Sequence, residues 1–440
     1  MMTKKILVFA VTLSLLFSAM LTVVGSEATY GKERIETKAS QEIHDWYDLN
    51  DMRDNLGGNY ILMSDLDENT EGYAELVDVE YGWDPIGDNT NEFTGTLDGN
   101  GYEIRDLYIF RPETWRVGLF GCIDERATVT NTALVDVDVT GYNYVGGLVA
   151  SNFGTIEKSS YAVGQVIGED GLGGLVGRNW EGGTVYDSYA TGDVNGNMFV
   201  GGLVGDNNGT VSHSYATGNV NGDGTDSTSV GGLVGYNPGI VEKSNATGNV
   251  NGDGKDVGGL VGLNAGTVSN SYATGDVSGD NYVGGLVGEN PSMVSNSYAT
   301  GEVSGNSSLG GLVGLTIGKV ESSFWDTEAS GIKESNGGTG KYTKEMKNVS
   351  TYTDTSTQGL EESWDFVGDP KDDTDDENIW DIDENGTIND GYPFFNLDKE
   401  EENGKDEGFI DEILDISGFT STLLVMAVMI AVAVYHKKKR

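Results

Sequence analysis

The stretch V-G-G-L-V-G-D-N-N-G-T-V-S-H-S-Y-A-T-G-N-V-N-G at 200–222 is one copy of a pattern that fills the middle of the chain. Its opening hexapeptide returns as VGGLVA at 145–150, LGGLVG at 172–177, VGGLVG at 230–235, 257–262 and 283–288, and LGGLVG at 309–314, at spacings of 26 to 30 residues. A degenerate copy, VGLFG at 117–121, lies one period upstream. The rest of the period recurs as well. An Asn stands at 152, 179, 207, 237, 264 and 290, with Thr316 in the last copy, and a β-branched residue such as Val185, Val211 or Val241 follows. Tyr189, Tyr215, Tyr272 and Tyr298 sit inside S-Y-A-T-G, with Asn245 as the exception, and a Val and an Asn-Gly or Ser-Gly corner close the unit.

The period selects the architecture. Units this short leave no room for a strand-helix-strand crossover with its turns, and none spaces its apolar residues at i, i+3, i+4 and i+7. Short runs rich in Val, Tyr and Thr between Gly, Asn, Ser and Asp read as β throughout. A propeller blade, at about 40–45 residues, is too long. The expectation is an all-β chain, a parallel β-helix or solenoid of about eight coils with N- and C-terminal caps. Equivalent residues would stack about 4.8 Å apart, giving roughly 38 Å of stacked coils. Stacked glycines would then permit positive φ and close backbone approach. Stacked asparagines would form an amide ladder, and the Leu and Val of each GLV triplet, with the later Val, would fill the core.

Composition agrees with periodic use of glycine. There are 66 Gly in 440 residues but only 6 Pro, which removes collagen and a proline-rich linker. A net charge of -44 lacks the basic footprint that DNA or RNA binding needs, so no nucleic-acid partner is expected. Cys122 is the single cysteine and permits no internal disulfide. It reads as a small buried residue rather than a nucleophile.

Both ends carry apolar runs. Lys4 and Lys5 precede Ile6 to Val24, followed by Gly25 and Ser26, the layout of a secretory signal. An uncleaved first membrane span is the alternative. Phe419 to Tyr435 is followed by His436, Lys437, Lys438, Lys439 and Arg440, which reads as a transmembrane helix with its basic end in the cytoplasm. Setting aside the six Lys and Arg beside the two runs leaves 20 positive against 70 negative groups, so the exposed body carries about -50. The expected divisions are a signal peptide (1–26), an N-terminal capping region with the first coils (27–116), the repeats (117–326), a C-terminal cap and acidic region (327–398), an acidic juxtamembrane linker (399–417), a transmembrane helix (418–435) and a basic cytoplasmic tail (436–440).

With G-G-L-V-G, then N-x-G, then S-Y-A-T-G-x-V, residues 117–326 resemble the GLUG-repeat proteins, a family of secreted and surface-attached bacterial and archaeal proteins. The flanking D-W-Y-D-L-N-D-M-R-D-N-L at 45–56, F-T-G-T-L-D-G-N-G-Y-E-I at 93–104, S-F-W-D-T-E-A-S-G at 323–331 and D-G-Y-P-F-F at 390–395 are similar to what surrounds such repeats. The resemblance implies a β-helical stalk of adhesins, surface proteins or the non-catalytic part of surface peptidases, and carries over no catalytic residue. I-S-G-F-T at 416–420 with its apolar run is similar to the PGF-type sorting tail of archaeal surface proteins, although Ser417 stands where that tail has proline.

Open coil ends need covering. Ile43, Trp46, Tyr47, Leu49, Met52 and Leu56 have a helix-like spacing suited to the first coil. Phe324, Trp325, Trp364, Phe366, Trp380, Tyr392, Phe394 and Phe395 are expected to plug the last, as core rather than as a sugar-stacking platform. For metals, D-x-D-x-N-G at Asp381, Asp383 and Asn385 matches half of a calcium loop, but Tyr392 stands where the bidentate Glu belongs, leaving a partial oxygen cage. Calcium is the one cofactor this string admits. N-x-[S/T] triplets make Asn208, Asn245, Asn306, Asn348 and Asn385 glycosylation candidates. The loops before each GGLVG vary in length, longest at 221–229, and project from one corner, where solenoids take partners.

No catalytic residue is expected. Lys158, Arg178, His213, Lys243, Lys255 and Lys319 occupy unlike positions in the period, and the acidic column of Asp193, Asp276 and Glu302 sits at exposed turns. The function expected is a membrane-anchored extracellular structural or adhesive surface protein, not an enzyme, with cell-surface glycans or other surface proteins as partners. A polysaccharide-active β-helix enzyme and a non-catalytic stalk presenting a partner enzyme are the alternatives.

Overall fold

The computed structural model describes residues 40–158, 161–224, 229–367, 378–383 and 386–396. The expected signal peptide, juxtamembrane linker, C-terminal apolar run, sorting tail and Asn385 lie outside the described residues. Among the described residues no helix is long and apolar enough to cross a membrane.

One coil shows how the repeat closes. Val204–Asn207, Thr210–Ser212, Tyr215–Ala216 and Val220–Gly222 are its strands, with short turns between them. Each residue pairs in parallel with its equivalent one coil away: Val204 with Val176 and Val234, Val211 with Val185 and Val241, Val220 with Val194 and Val250. Stacking produces three parallel sheets of 8, 11 and 20 strands, here called the Asn, Thr and Tyr faces after the residues that mark them. Leu203, Val204, Val211, Ala216, Val220 and Val230 are fully buried, and their equivalents in other coils form continuous inner columns. Each such side chain contributes roughly 1.5–3 kcal/mol by leaving water. The period of two in a strand puts these residues inside and their neighbours outside.

The Asn ladder is present throughout. Asn152, Asn179, Asn207, Asn237, Asn264 and Asn290 are fully buried. Each Nδ2 donates to the next Oδ1 at 2.8 Å, and Asn290 ends the series on Thr316 Oγ1 at 3.2 Å. The same amides also donate to carbonyls on the Thr face, as Asn207 does to Ile240 at 3.0 Å. A second ladder, on serine, was not read from the sequence: the backbone N–H groups of Ser188, Ser214, Ser244, Ser271 and Ser297 each donate to the serine hydroxyl one coil on, at 3.1–3.3 Å.

The glycines differ from expectation. Positive φ in the repeats falls mainly on non-glycine residues in two columns. One comprises Asn131, Lys158, Asp187, His213, Lys243, Asn270, Asn296 and Ser322. The other includes Tyr144, Phe199, Ser229, Asp256, Tyr282 and Ser308. These turn residues are mixed in exposure: His213 is exposed, Phe199 stacks on Tyr236, and Ser229, Asp256 and Ser322 are buried. The paired glycines serve close approach instead: a Cβ on Gly202 would run into the Gly232 carbonyl, and one on Gly232 into that of Gly259.

The Thr face starts before the repeats, with Gln41–Ile43, Asn59–Leu62 and Thr96–Asp98 as its first rungs. Ile43 therefore lies in a strand, while Trp46–Asn50 forms a short helix whose N-cap, Asp45, accepts from the Asp48 N–H at 2.9 Å. Trp46, Leu49 and Met52 are buried, Trp46 against Tyr73 and Trp83. At the other end the chain around 330–341 closes the last coil. Gly311 N donates to Glu334 O, Asn336 N to Val313 O, and Thr339–Lys341 pairs with Phe324–Asp326. Trp364, Phe366, Trp380 and Tyr392 do not plug that end. They build a second core on the outside of the Tyr face, over Tyr272, Tyr298 and Phe324. The physical reason is that the stacked tyrosine rings present apolar faces outward, and this C-terminal layer buries them.

Candidate functional site

Three outward features carry chemistry. The first is a pair of polar columns on the Tyr face. Asp193, Asn219, Asn249, Asp276 and Glu302 are exposed and in register, and their side-chain oxygens are used along the stack. Asp193 Oδ1 accepts from Asn219 N at 2.8 Å, Asn249 Oδ1 from Asp276 N at 3.0 Å, and Asp276 Oδ1 from Glu302 N at 2.9 Å. Beside them Asn221 donates to Asn195 at 2.9 Å, and Ser278 to Asn251 at 2.6 Å. Asn249, Asn251, Asp276, Ser278, Glu302 and Ser304 line a shallow cleft of about 250 Å³. The acids expected from the sequence to form a column do share a register, but Asn219 and Asn249 separate Asp193 from Asp276, and both of these carboxylates accept from backbone N–H groups.

The second feature is the tyrosine column. Tyr189 and Tyr215 stack at 4.7 Å and 3°, Tyr272 and Tyr298 at 5.0 Å and 7°, and Asn245 interrupts between the pairs. Only the second pair lies beneath the C-terminal layer. Burial pushes the Tyr189 hydroxyl up to about 12. His213, beside this face, is exposed, as the sequence indicates.

The third feature lies at the corner between the Tyr and Asn faces in the first coils, of which the sequence reading names only Arg178, as a basic residue out of period. Trp115 and Tyr142 are exposed, 52% and 38%, with ring centroids 6.1 Å apart. Trp115 meets Tyr144 edge-on at 5.8 Å. The Tyr144 hydroxyl accepts from Arg178 Nη1 at 3.0 Å, and the Arg178 guanidinium lies 3.6 Å over Trp180, which stacks on Phe153 at 5.1 Å. Arg178 also pairs with the buried Asp206 at 3.2 Å. Burial pushes the Asp206 carboxyl up to about 6, with Arg178 pulling the other way. The signal that could have found this corner is departure from the period: Phe153 and Trp180 stand where later coils carry Asn208, Pro238 and Ala265.

The remaining candidates are dispersed. Asp381 Oδ1 accepts from Ile382 N at 2.7 Å, while Asp383 Oδ2 accepts from Thr387 N at 2.7 Å and Ile388 N at 3.0 Å, closing its own loop. Among the described residues no group of three or more His, Cys, Asp or Glu could hold a metal ion. Asn306 and Asn348 are exposed, while Asn208 and Asn245 are half-buried. Asn208 donates to Asp206 at 2.9 Å and Asn245 holds the gap in the tyrosine column. Cys122 is buried, and burial with the nearby Glu92 pushes its thiol up to about 12, far from a reactive thiolate.

Two relatives are similar to part of this chain. Halomucin from Haloquadratum walsbyi (strain DSM 16790 / HBSQ001) is 36% identical over 122 residues, 28% of this chain and 1% of halomucin. A Gly-rich membrane protein from Evansella cellulosilytica is 37% identical over 121 residues, 26% of this chain and 14% of that protein. The similarity thus spans a small part of each relative's length. No solved structure matches the chain. The GLUG motif matches residues 168–195, 226–251, 253–278 and 279–304. GLUG repeats are thus found in four segments of the solenoid.

Proposed function

We propose that this protein is a membrane-anchored, extracellular structural and adhesive surface protein, in which the GLUG solenoid holds binding surfaces away from the membrane. The observation that carries this reading is the unbroken stack of in-register coils, covered at both ends, whose outward acids bond along the stack. Such a stack is a stiff spacer, because each coil is fixed by its neighbours through backbone pairing and two side-chain ladders. Carboxylates held by backbone N–H groups, as Asp193 and Asp276 are, suit a structural surface better than general acid–base work, which needs a paired, poised site. The relatives' names, a halomucin and a membrane protein, support a surface location, as do the apolar runs flanked by Lys4 and Lys5 and by Lys437 to Arg440. Cell-surface glycans or other surface proteins are the partners proposed. Calcium at Asp381 and Asp383 remains a proposal for calorimetry with millimolar calcium.

Location is tested on intact cells. Cys122 is buried, so a Ser307→Cys variant, exposed on the Tyr face, offers the one accessible thiol among the described residues. A membrane-impermeant maleimide is expected to label this variant and not the parent, with the label staying in the membrane fraction after alkaline carbonate washing. Labelling only after lysis would overturn the surface location, and release by carbonate would overturn the anchor.

A further inference from the structure

We infer that the corner formed by Trp115, Tyr142, Tyr144 and Arg178 is a binding site for a neutral saccharide. The ligand class rests on the glycan-binding reading above; the location rests on this corner alone. Its first support is exposure. Most large apolar side chains here are inside a core, yet Trp115 and Tyr142 stand open to solvent on a turn pinned by Tyr142 N donating to Thr114 O at 2.9 Å. Tyr81 and Phe110 are exposed as well and are joined to each other by Phe110 N donating to Tyr81 O at 2.9 Å. Exposed aromatics gathered in one place mark contact surfaces rather than packing.

The second support is unfinished hydrogen bonding. Of nine buried side-chain polar atoms without a hydrogen bond among the described residues, Asn143 Oδ1, Ser151 Oγ, Asp170 Oδ1 and Trp180 Nε1 belong to this corner. Ser151 is fully buried and pairs in register with Arg178 on the adjacent strand. Native proteins rarely leave such groups unpaired, so a cluster of them calls for polar partners, whether water or the hydroxyls of a ligand. A sugar supplies what both observations ask for: C–H faces for the rings, and hydroxyls that donate and accept beside Arg178 and Asp170.

Charge narrows the class. Glu113 and Glu169 are exposed on the same corner turns, and the chain carries -44 overall, which disfavours uronic acids and sulfated sugars. A small cation is also disfavoured, since Arg178 already occupies the Trp180 face.

The test is titration of the purified full chain with cello-, xylo-, manno- and chito-oligosaccharides, and with oligogalacturonate, followed by calorimetry and tryptophan fluorescence. At least one neutral series is expected to bind. Trp115→Ala and Tyr142→Ala are each expected to weaken it by about tenfold or more. Tyr282→Ala, a substitution in the same turn column on a later coil, is expected to leave binding unchanged, with all variants matching the parent in circular dichroism. Equal binding by parent and Trp115→Ala would overturn this site while leaving glycan binding elsewhere intact. Binding of oligogalacturonate alone, or of no saccharide at millimolar concentration, would overturn the ligand class. Attachment to cells is scored separately, so an adhesive role through proteins would still be seen.

Discussion

Asn207 donates its side-chain N–H to Asn237 Oδ1 across 2.8 Å, and both residues are wholly buried one coil apart. Asn237 in turn donates to Asn264 at 2.8 Å and to the Thr267 carbonyl at 3.2 Å. Every interior member of the ladder is thus a donor and an acceptor at once, so removing one leaves buried groups unpaired on both neighbours. Asn237→Ala is expected to destabilise by about 2–4 kcal/mol. Thr316→Ala, at the ladder's end, is expected to destabilise by less. Guanidinium unfolding followed by circular dichroism checks the order; equal midpoints for the two variants would contradict it.

Gly232 and Gly101 separate the two uses of glycine. A Cβ at Gly232 meets the Gly259 carbonyl, which is backbone and cannot move without breaking a rung. Gly101 has φ +78 and nothing within 4 Å of an added Cβ. Gly232→Ala is expected to be severely destabilising, by roughly 4 kcal/mol or more, in the range reserved for such lesions. Gly101→Asn is expected to change stability by about 1 kcal/mol or less, since Asn tolerates left-handed backbone. Thermal melting of the two variants decides, and a harmless Gly232→Ala would contradict the close-approach account.

The C-terminal layer is fastened to the Tyr face through Tyr298, whose hydroxyl donates to the Pro393 carbonyl and accepts from Asn389 Nδ2 at 2.8 Å. Tyr298→Phe keeps the ring stack and removes both bonds. Hydrogen exchange is expected to rise across 380–395 by about tenfold, corresponding to roughly 1.4 kcal/mol, while exchange in the first coils stays unchanged. A uniform rise along the whole chain would show that the layer and the coils open together.

Stability is expected to fall as pH rises. Burial, reinforced by the adjacent Glu289 carboxylate, holds the Asp256 carboxyl well above its ordinary value, with Lys255 acting in the opposite sense. The folded protein therefore binds a proton that the unfolded chain gives up near pH 4. Folded-state stability from this group is fully present below that pH and is lost as pH climbs through the raised value. Asp256→Asn is expected to flatten the decline in melting temperature between pH 5 and 8 and to gain on the order of 1–2 kcal/mol over the parent at pH 8. Parallel curves for parent and variant would remove Asp256 as the cause.

What was readable in the sequence is whatever repeats. The coil, its apolar columns and the Asn ladder follow from positions that recur every 26 to 30 residues, because stacking makes each column subject to one physical demand. The serine ladder escaped notice since Ser188 and its equivalents look like ordinary turn residues until Ser214 is seen accepting from the Ser188 N–H. Glycine is the usual carrier of positive φ, but in these coils residues such as His213 and Tyr144 carry it, and sequence alone does not mark them. The placement of Trp364 and Trp380 depends on contacts with Tyr272 and Tyr298, far away in sequence, and no local pattern encodes it. The aromatic corner around Trp115 was invisible for a related reason: it exists where the repeat is broken, and a search for regularity passes over exceptions.

The central claim, a surface solenoid that binds without catalysis, is tested most directly by incubating the purified full chain with intact cells and cell-wall polysaccharides while measuring both bound protein and released reducing sugar. The account predicts saturable binding with no release of sugar fragments above buffer. Sugar release that scales with protein concentration would contradict it, and so would failure to bind either material.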